Sequence, residues 1–291
     1  MSELVVRRLL VDLDRGFDRQ WNGGDAFRTA FFNAISMSFP VGEQFFIDAV
    51  KGGLAALPPE QAARFAEEVR GFIGQEATHR RLHGLFNAHL EKQGLVNGWG
   101  PRAARRIERL AGLDARHALG ITAAYEHYTA VFAEWLLANP HWLDGAEPRL
   151  KTMWLWHSAE ESEHRCTAFD LYRALGGNER WRRRWFRVVT VYFAMDTLRQ
   201  TLDNLRRGGA LWRLRTWKEG ARFLFGRTGL LRRCAGLLRD YGRPGFHPGT
   251  HGNPALSSAW LREHADAWTP VGGRAGTAGA SINPSAPGAR P

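Results

Sequence analysis

The chain has 291 residues, of which 44% are hydrophobic, and its formal net charge is +11. Two cysteines are too few for a disulfide framework, and no stretch reaches the roughly 18 uncharged apolar residues that a membrane-spanning helix needs. Since the first 14 residues also hold no apolar signal segment, we expect a cytoplasmic protein. The positive charge fits either an anionic partner or an arginine-rich composition. Because the sequence has no known nucleic-acid-binding motif, we expect no nucleic-acid partner.

Valine, isoleucine and threonine are sparse, while alanine, leucine and arginine abound, which favours helices over strands. Residues 1–24 form an entry segment that ends in a turn signal. A first helix is predicted from about residue 25 to 51, with Pro40 kinking or breaking it and Gly52-Gly53 as its stop signal.

A second helix is predicted to begin near Pro59, a proline in its first turn, and to end near Gln93. A third helical region opens at Pro101, and its main part runs over 115–137. The fourth helix is predicted over 148–175. Four long helices with short connections indicate an all-α bundle.

Three domain boundaries follow from this pattern. We expect a four-helix bundle over 25–177 and a C-terminal helical extension over 178–268, with helices at about 180–206, 209–224 and 228–240. Residues 269–291 are mostly Gly, Ala, Ser and Pro with little apolar bulk, and they are expected to be disordered.

Two segments carry the pattern Glu-x-x-His, at Glu76/His79 and at Glu161/His164. Residues three apart lie on one helix face, so each pair can hold one metal ion together. A single such pair is weak evidence, because surface acids and histidines produce it by chance. Ferritin-like carboxylate centres need this motif on two helices and one further glutamate on each of the other two.

Glu43 and Glu126 supply those two glutamates. They precede Glu76 and Glu161 by 33 and 35 residues, which matches a helix, a turn and a return to the same level. Both interrupt apolar stretches, where an unpaired carboxylate is costly. The sequence therefore predicts a ferritin-like four-helix bundle with a metal centre and additional C-terminal helices.

His157 lies four residues before Glu161 and seven before His164, so it offers the centre a third imidazole. His83, Glu160 and Asp170 are the candidates for side chains that orient the ligands. His127 points away from the centre, and we expect it to be a partly exposed polar residue. Glu163 turns away as well and is predicted to pair with an arginine.

Mixed carboxylate and imidazole ligands in this number indicate two metal ions, iron first, with manganese or zinc as alternatives. No catalytic residues beyond the metal ligands are predicted.

The chain resembles the bacterial family "predicted metal-dependent hydrolase". The resemblance covers residues 5–265 and rests on these motifs: Phe39-Pro40-Val41-Gly42-Glu43, Gln75-Glu76-Ala77-x-His79, Tyr125-Glu126-His127-Tyr128, Trp156-His157-x-x-Glu160-Glu161-x-Glu163-His164 and Arg243-Pro244-Gly245-Phe246-His247-Pro248. The pattern also resembles the di-iron arylamine N-oxygenases. That resemblance implies seven ligands, namely Glu43, Glu76, His79, Glu126, His157, Glu161 and His164.

Three functions remain open on this basis. The leading hypothesis is an O₂-activating di-iron oxidoreductase acting on a small organic substrate. The alternative is a two-metal hydrolase, as the family description implies. The third is a non-enzymatic protein that binds metal or an anionic membrane surface, the latter through the Arg- and Trp-rich region 180–240. The oligomeric state is open, with a homodimer among the expectations.

Overall fold

The computed structural model describes residues 4–271, and helices dominate it. In chain order they are α1 (Ala26–Ala56), α2 (Pro59–Lys92), α3 (Trp99–Glu108), α4 (Ala115–Ala138), α5 (Pro148–Glu161), α6 (Thr167–Ala174), α7 (Glu179–Arg207), α8 (Leu214–Phe225), α9 (Leu230–Asp240) and α10 (Pro254–Glu263). Strands β1 (Arg7–Leu9) and β2 (Trp268–Pro270) pair antiparallel. The predicted all-α class is confirmed.

Local signals place most helix starts. The Asp25 side chain accepts a hydrogen bond from the backbone N–H of Arg28 and caps α1, and Asp114 caps α4 in the same way. Asn178 caps α7, and Pro59 occupies the first turn of α2 as predicted. The bounds of these helices therefore follow from residues within one turn of each end.

The predicted end of the first helix at Gly52-Gly53 is wrong, since α1 runs unbroken through Pro40 and on to Ala56. A Cβ added at Gly53 would lie 2.6 Å from Leu119 Cδ1, so this glycine permits close packing of α1 on α4. Pro58 disfavours helical backbone at the residue before it, and α1 ends there.

The single helix predicted over 148–175 is also wrong, because residues 162–166 form a turn between α5 and α6. Arg165 Nε donates to the carbonyl oxygen of Ser162 at 3.0 Å, the group that Cys166 N–H would use in a continuous helix. The same guanidinium forms an ion pair with Glu134 on α4 at 2.5 Å. Side chains thus replace the backbone pairing at this point.

The two strands correct the boundary predicted for the C-terminal tail, because residues 269 and 270 belong to β2. The entry segment supplies their pairing partner, with Leu9 opposite Trp268, and the Arg7 guanidinium lies 5.0 Å from the Trp268 ring centroid. The disorder expected for 272–291 concerns residues outside the described part of the chain.

The bundle positions the site in its interior. Helix α1 packs against α2, α4 and α7, and α4 packs against α5, α6 and α7. No helix between residues 4 and 271 is both long and apolar enough to cross a membrane. At the start of α8, Trp212 is 91% exposed and Leu214 is 80% exposed, and contact of this region with an anionic membrane stays a prediction.

Candidate metal centre

The four predicted glutamates lie on four different helices. Glu43 is on α1, Glu76 on α2, Glu126 on α4 and Glu161 at the last position of α5. All four are buried, and none is more than 4% exposed. Helical hairpins return the chain to the same level, as the spacings predicted, so the carboxylates face one interior region.

The histidines come from two helices and one turn. His79 lies one turn after Glu76 on α2, and His157 lies one turn before Glu161 on α5. His164 lies in the turn after α5, where the helix has already ended. All three imidazoles are buried.

These side chains converge in two groups that share His79. In the first, ligand atoms of Glu76, His79, Glu161 and His164 lie within 4.8 Å of one another. In the second, the same holds for Glu43, His79 and His157. Each group offers the mixture of carboxylate oxygens and imidazole nitrogens that suits iron, manganese or zinc.

Glu126 differs from the other predicted ligands. Its Oε2 lies 2.9 Å from Nδ1 of His164, while His164 Nε2 faces Glu76 Oε1 at 3.6 Å and Glu161 Oε1 at 3.8 Å. The carboxylate therefore orients the ring from its far nitrogen. Glu126 belongs to neither of the two groups, and its role as a direct ligand stays a prediction.

Donor atoms of the two groups are buried without a hydrogen-bond partner within the described chain. They are both carboxylate oxygens of Glu43 and of Glu76, Oε2 of Glu161, Nδ1 of His79 and Nε2 of His164. Unpaired buried carboxylates cost several kcal/mol and require a cation or a proton. The residues present therefore fit a divalent metal centre.

In the metal-free state, protons take the place of a cation. Burial, reinforced by the nearby Glu161 carboxylate, raises the pKa values of Glu43 and Glu76 well above their ordinary range. Burial also raises the pKa of Glu126 to about 7. Burial acts against the charge of His79, but the hydrogen bond that its Nε2 donates to Glu160 and the nearby Glu161 carboxylate raise its pKa to about 10.

A hydrogen-bond chain sets the tautomer of His157. Ser36 Oγ donates to Asn87 Oδ1 at 2.8 Å, so it accepts from His83 Nδ1, which lies 2.8 Å away. His83 Nε2 then accepts from His157 Nδ1 at 2.7 Å, because burial lowers the pKa values of both imidazoles and keeps them neutral. The predicted orienting role of His83 is consistent with this contact.

The lone pair of His157 Nε2 consequently points into the cluster. It lies 2.9 Å from Glu161 Oε1 and 3.9 Å from Glu43 Oε1. A lone pair and a carboxylate oxygen repel each other at 2.9 Å unless a cation or a proton lies between them. The network thus presents His157 in the protonation state that a metal ligand requires.

A second network supports His79 from outside. Its Nε2 lies 2.9 Å from Glu160 Oε2, a contact that is consistent with the orienting role predicted for Glu160. Arg7 Nη1 donates to Glu160 Oε1 at 3.0 Å, and the same guanidinium holds Glu163 in a two-bond ion pair at 2.7 and 2.9 Å. The predicted arginine partner of Glu163 is therefore Arg7.

Arg7 was missed by the sequence analysis, because it lies 153 residues from Glu160 and no local motif marks it. We expect Arg7→Gln to lower metal affinity by about 10-fold, the lower end of the usual effect of losing a residue that orients a ligand, because Arg7 acts on His79 through Glu160. Arg8→Gln is the matched control, since Arg8 is exposed on the same strand. Competition with a chelator measures both variants, and equal affinities would show that Arg7 has only a structural role.

The structure places Asp170 and His127 differently from what the sequence predicted. Asp170 Oδ1 lies 2.7 Å from His247 Nε2, so its hydrogen bond goes to the loop after α9 and not to a histidine of the cluster. His127 is buried, contrary to the partial exposure predicted for it. Its Nε2 donates to the Leu237 carbonyl at 3.1 Å, and burial lowers its pKa to about 4.

An all-α chain that buries carboxylates and imidazoles around unpartnered donor atoms has the features of a metalloprotein. The chain belongs to the family described as "Predicted metal-dependent hydrolase", whose model matches residues 5–252. The resemblance predicted from the motifs is therefore confirmed. Comparison with curated proteins found no significant match, and comparison with solved structures found none.

Proposed function

We propose that the chain is a metal-dependent hydrolase with a two-metal centre in a ferritin-like bundle. The observation that carries this proposal is the set of buried, unpartnered donor atoms on α1, α2, α5 and the turn after α5, and the family description agrees with hydrolysis. The ligands would be Glu76, Glu161 and His164 for one ion and Glu43 and His157 for the other, with His79 within reach of both. When bound, such ions polarise a carbonyl or phosphoryl oxygen and activate water at neutral pH.

The protein's own side chains provide the conditions for this reaction. Glu160 and Glu126 hold the outer nitrogens of His79 and His164, which directs the remaining nitrogens inward. Burial of the cluster excludes bulk water and strengthens each electrostatic contact. In the reaction, water breaks an ester, amide or phosphate bond, its hydroxyl bonds to the carbonyl carbon or phosphorus, and its proton goes to the leaving group.

A di-iron oxidoreductase that uses O₂ is the second candidate, favoured by the imidazole content and the aromatic surroundings of the cluster. Phe39, Phe72 and Trp156 pack on ring centroids of His157, His164 and His79 at 4.7, 4.9 and 5.2 Å. Imidazole ligands suit iron among other transition metals, and a dry aromatic wall protects reactive oxygen chemistry from water. The two candidates share one site and differ in metal and co-substrate.

The deciding experiment is metal analysis of protein purified without chelator, followed by two assays. We expect about two metal ions per chain. We also expect the metal-loaded protein to hydrolyse p-nitrophenyl esters or phosphates. Glu161→Gln should lose metal and activity, whereas Glu91→Gln on the exposed face of α2 should keep both. Oxygen consumption with a ferric absorption band and no hydrolysis would establish the second candidate. Protein that binds no metal under any loading condition would refute both.

A further inference from the structure

A cavity of about 300 Å³ lies between α1, α3, α4 and α7. Its walls are mainly aromatic and aliphatic, and they include Phe45, Phe46, Trp99, Tyr125 and Tyr192. This volume is at the lower end of the range for small-molecule sites, which are typically concave and apolar. The metal ligands are not part of this wall, so the proposed hydrolytic centre does not account for it.

The cavity nevertheless extends to the neighbourhood of the cluster. A second cavity of about 70 Å³ is lined by His157 and Glu161, and it shares the wall residues Phe39, Thr129 and Phe193 with the larger one. The Phe39 ring lies 4.7 Å from the His157 ring between centroids. A molecule in the larger cavity would therefore be one side chain away from the donor atoms.

Positive charge marks another part of the wall, at the end of α3. Arg106 lines the cavity, pairs with Asp196 and stacks 4.5 Å above the Tyr192 ring centroid. Arg109 also lines the cavity and is exposed to solvent, and it forms no ion pair with any residue between 4 and 271. An anionic group at this position would meet an uncompensated guanidinium beside an apolar volume.

We infer that the cavity holds the apolar body of an amphipathic, anionic substrate, such as an acyl compound. The charged group of this substrate lies at Arg109, and the other end of the substrate reaches past Phe39 to the cluster beside His157. This inference rests on the proposed function for the reaction itself, because the cavity supplies recognition while the centre supplies chemistry. It names a substrate class that combines a carboxylate or phosphate with a hydrocarbon or aromatic body.

Calorimetric titration with decanoate tests the inference, with hexanoate and decan-1-ol as comparison ligands. We expect saturable binding of decanoate and at least about tenfold weaker binding of hexanoate, because each buried methylene adds to affinity. Ala103→Phe, which fills the cavity from α3, should weaken decanoate by at least about tenfold, equivalent to about 1.4 kcal/mol. Ile121→Trp fills the cavity from α4. It serves as the test variant if Ala103→Phe shows no cooperative thermal unfolding and is therefore not folded.

Arg109→Gln tests the charged part of the inference. It should weaken the binding of decanoate by about fivefold, the scale of one partly exposed charge contact, and leave the affinity for decan-1-ol unchanged. Arg105→Gln is the control, since Arg105 is exposed on α3, four residues before Arg109, and does not line the cavity. Equal effects on both ligands would refute the anionic group at Arg109.

Absence of saturable decanoate binding to folded protein, or undiminished binding by both filling variants, would overturn the inference as a whole. Metal content measured on the same preparation separates this outcome from failure of the proposed function. If the protein contains metal but does not bind decanoate, the proposed metal centre stands and the inferred substrate class is wrong. Protein that binds decanoate but never binds metal upholds the cavity and refutes the centre.

Discussion

Replacing His79 by alanine is expected to reduce metal content more than any other single histidine substitution in the cluster. His79 is the residue that both groups share, whereas His157 belongs to one group and His164 to the other. His79 Nδ1 lies 3.3 Å from Glu161 Oε1, so the substitution removes a donor atom from the middle of the cluster. The expected loss for His79→Ala is at least about 100-fold in metal affinity, because losing a residue that only supports a ligand already costs about 10- to 100-fold.

His89→Ala is the matched control for this experiment. His89 lies on the same helix, is partly buried, and makes one hydrogen bond, to the Leu13 carbonyl at 2.9 Å. Metal content after dialysis and affinity by chelator competition should be unchanged in this variant. If His157→Ala and His164→Ala each remove as much metal as His79→Ala, the two ions bind as one cooperative unit and the ranking is wrong.

The metal-free protein is expected to lose stability between pH 7 and pH 9. In the unfolded chain, glutamates and histidines have lost their protons by pH 7. In the folded chain, burial keeps protons on Glu43 and Glu76, and contacts with Glu160 and Glu161 keep one on His79, whose pKa is about 10. Their folded pKa values are raised, so their contribution to stability is full below the unfolded pKa and is lost as pH rises through the folded pKa.

The size of this effect depends on how many protons the folded state retains. Each retained proton removes up to about 1.4 kcal/mol of unfolding free energy per pH unit. The metal-loaded protein should show little pH dependence over the same range, because metal displaces those protons and the ligands then carry no protons in either the folded or the unfolded chain. Urea unfolding at pH 7, 8 and 9, with and without chelator, measures both slopes.

Glu43→Gln sharpens this second prediction. It replaces a buried carboxyl by a group of similar shape that cannot ionise, so the metal-free variant should be more stable at pH 9 and its pH slope should be shallower. The same variant should bind metal less tightly, whereas Glu91→Gln should change neither property. If the unfolding free energy of the metal-free wild-type chain does not change with pH, the predicted retention of protons by the buried carboxyl groups is wrong.

The helices and their faces could be predicted from the sequence because their determinants are local. Asp25, Pro59, Asp114 and Asn178 each act within one turn of the helix that they begin. The Glu-x-x-His spacing and the 33- and 35-residue separations likewise depend only on helix periodicity and hairpin length. These features were enough to place the four glutamates on four helices that face one interior.

The remaining features depend on contacts between residues far apart in the chain. Gly53 lets α1 pack closely on Leu119, and Arg165 in the turn after α5 pairs with Glu134 on α4. Arg7 supports His79 through Glu160, which lies 153 residues further along the chain. The assignment of donor and acceptor along Asn87, Ser36, His83 and His157 likewise requires the three-dimensional packing of three helices. Side-chain periodicity within a helix sets which residue types face the core. Which of them meet, and in which protonation state, is decided by tertiary contacts whose energies no local pattern contains.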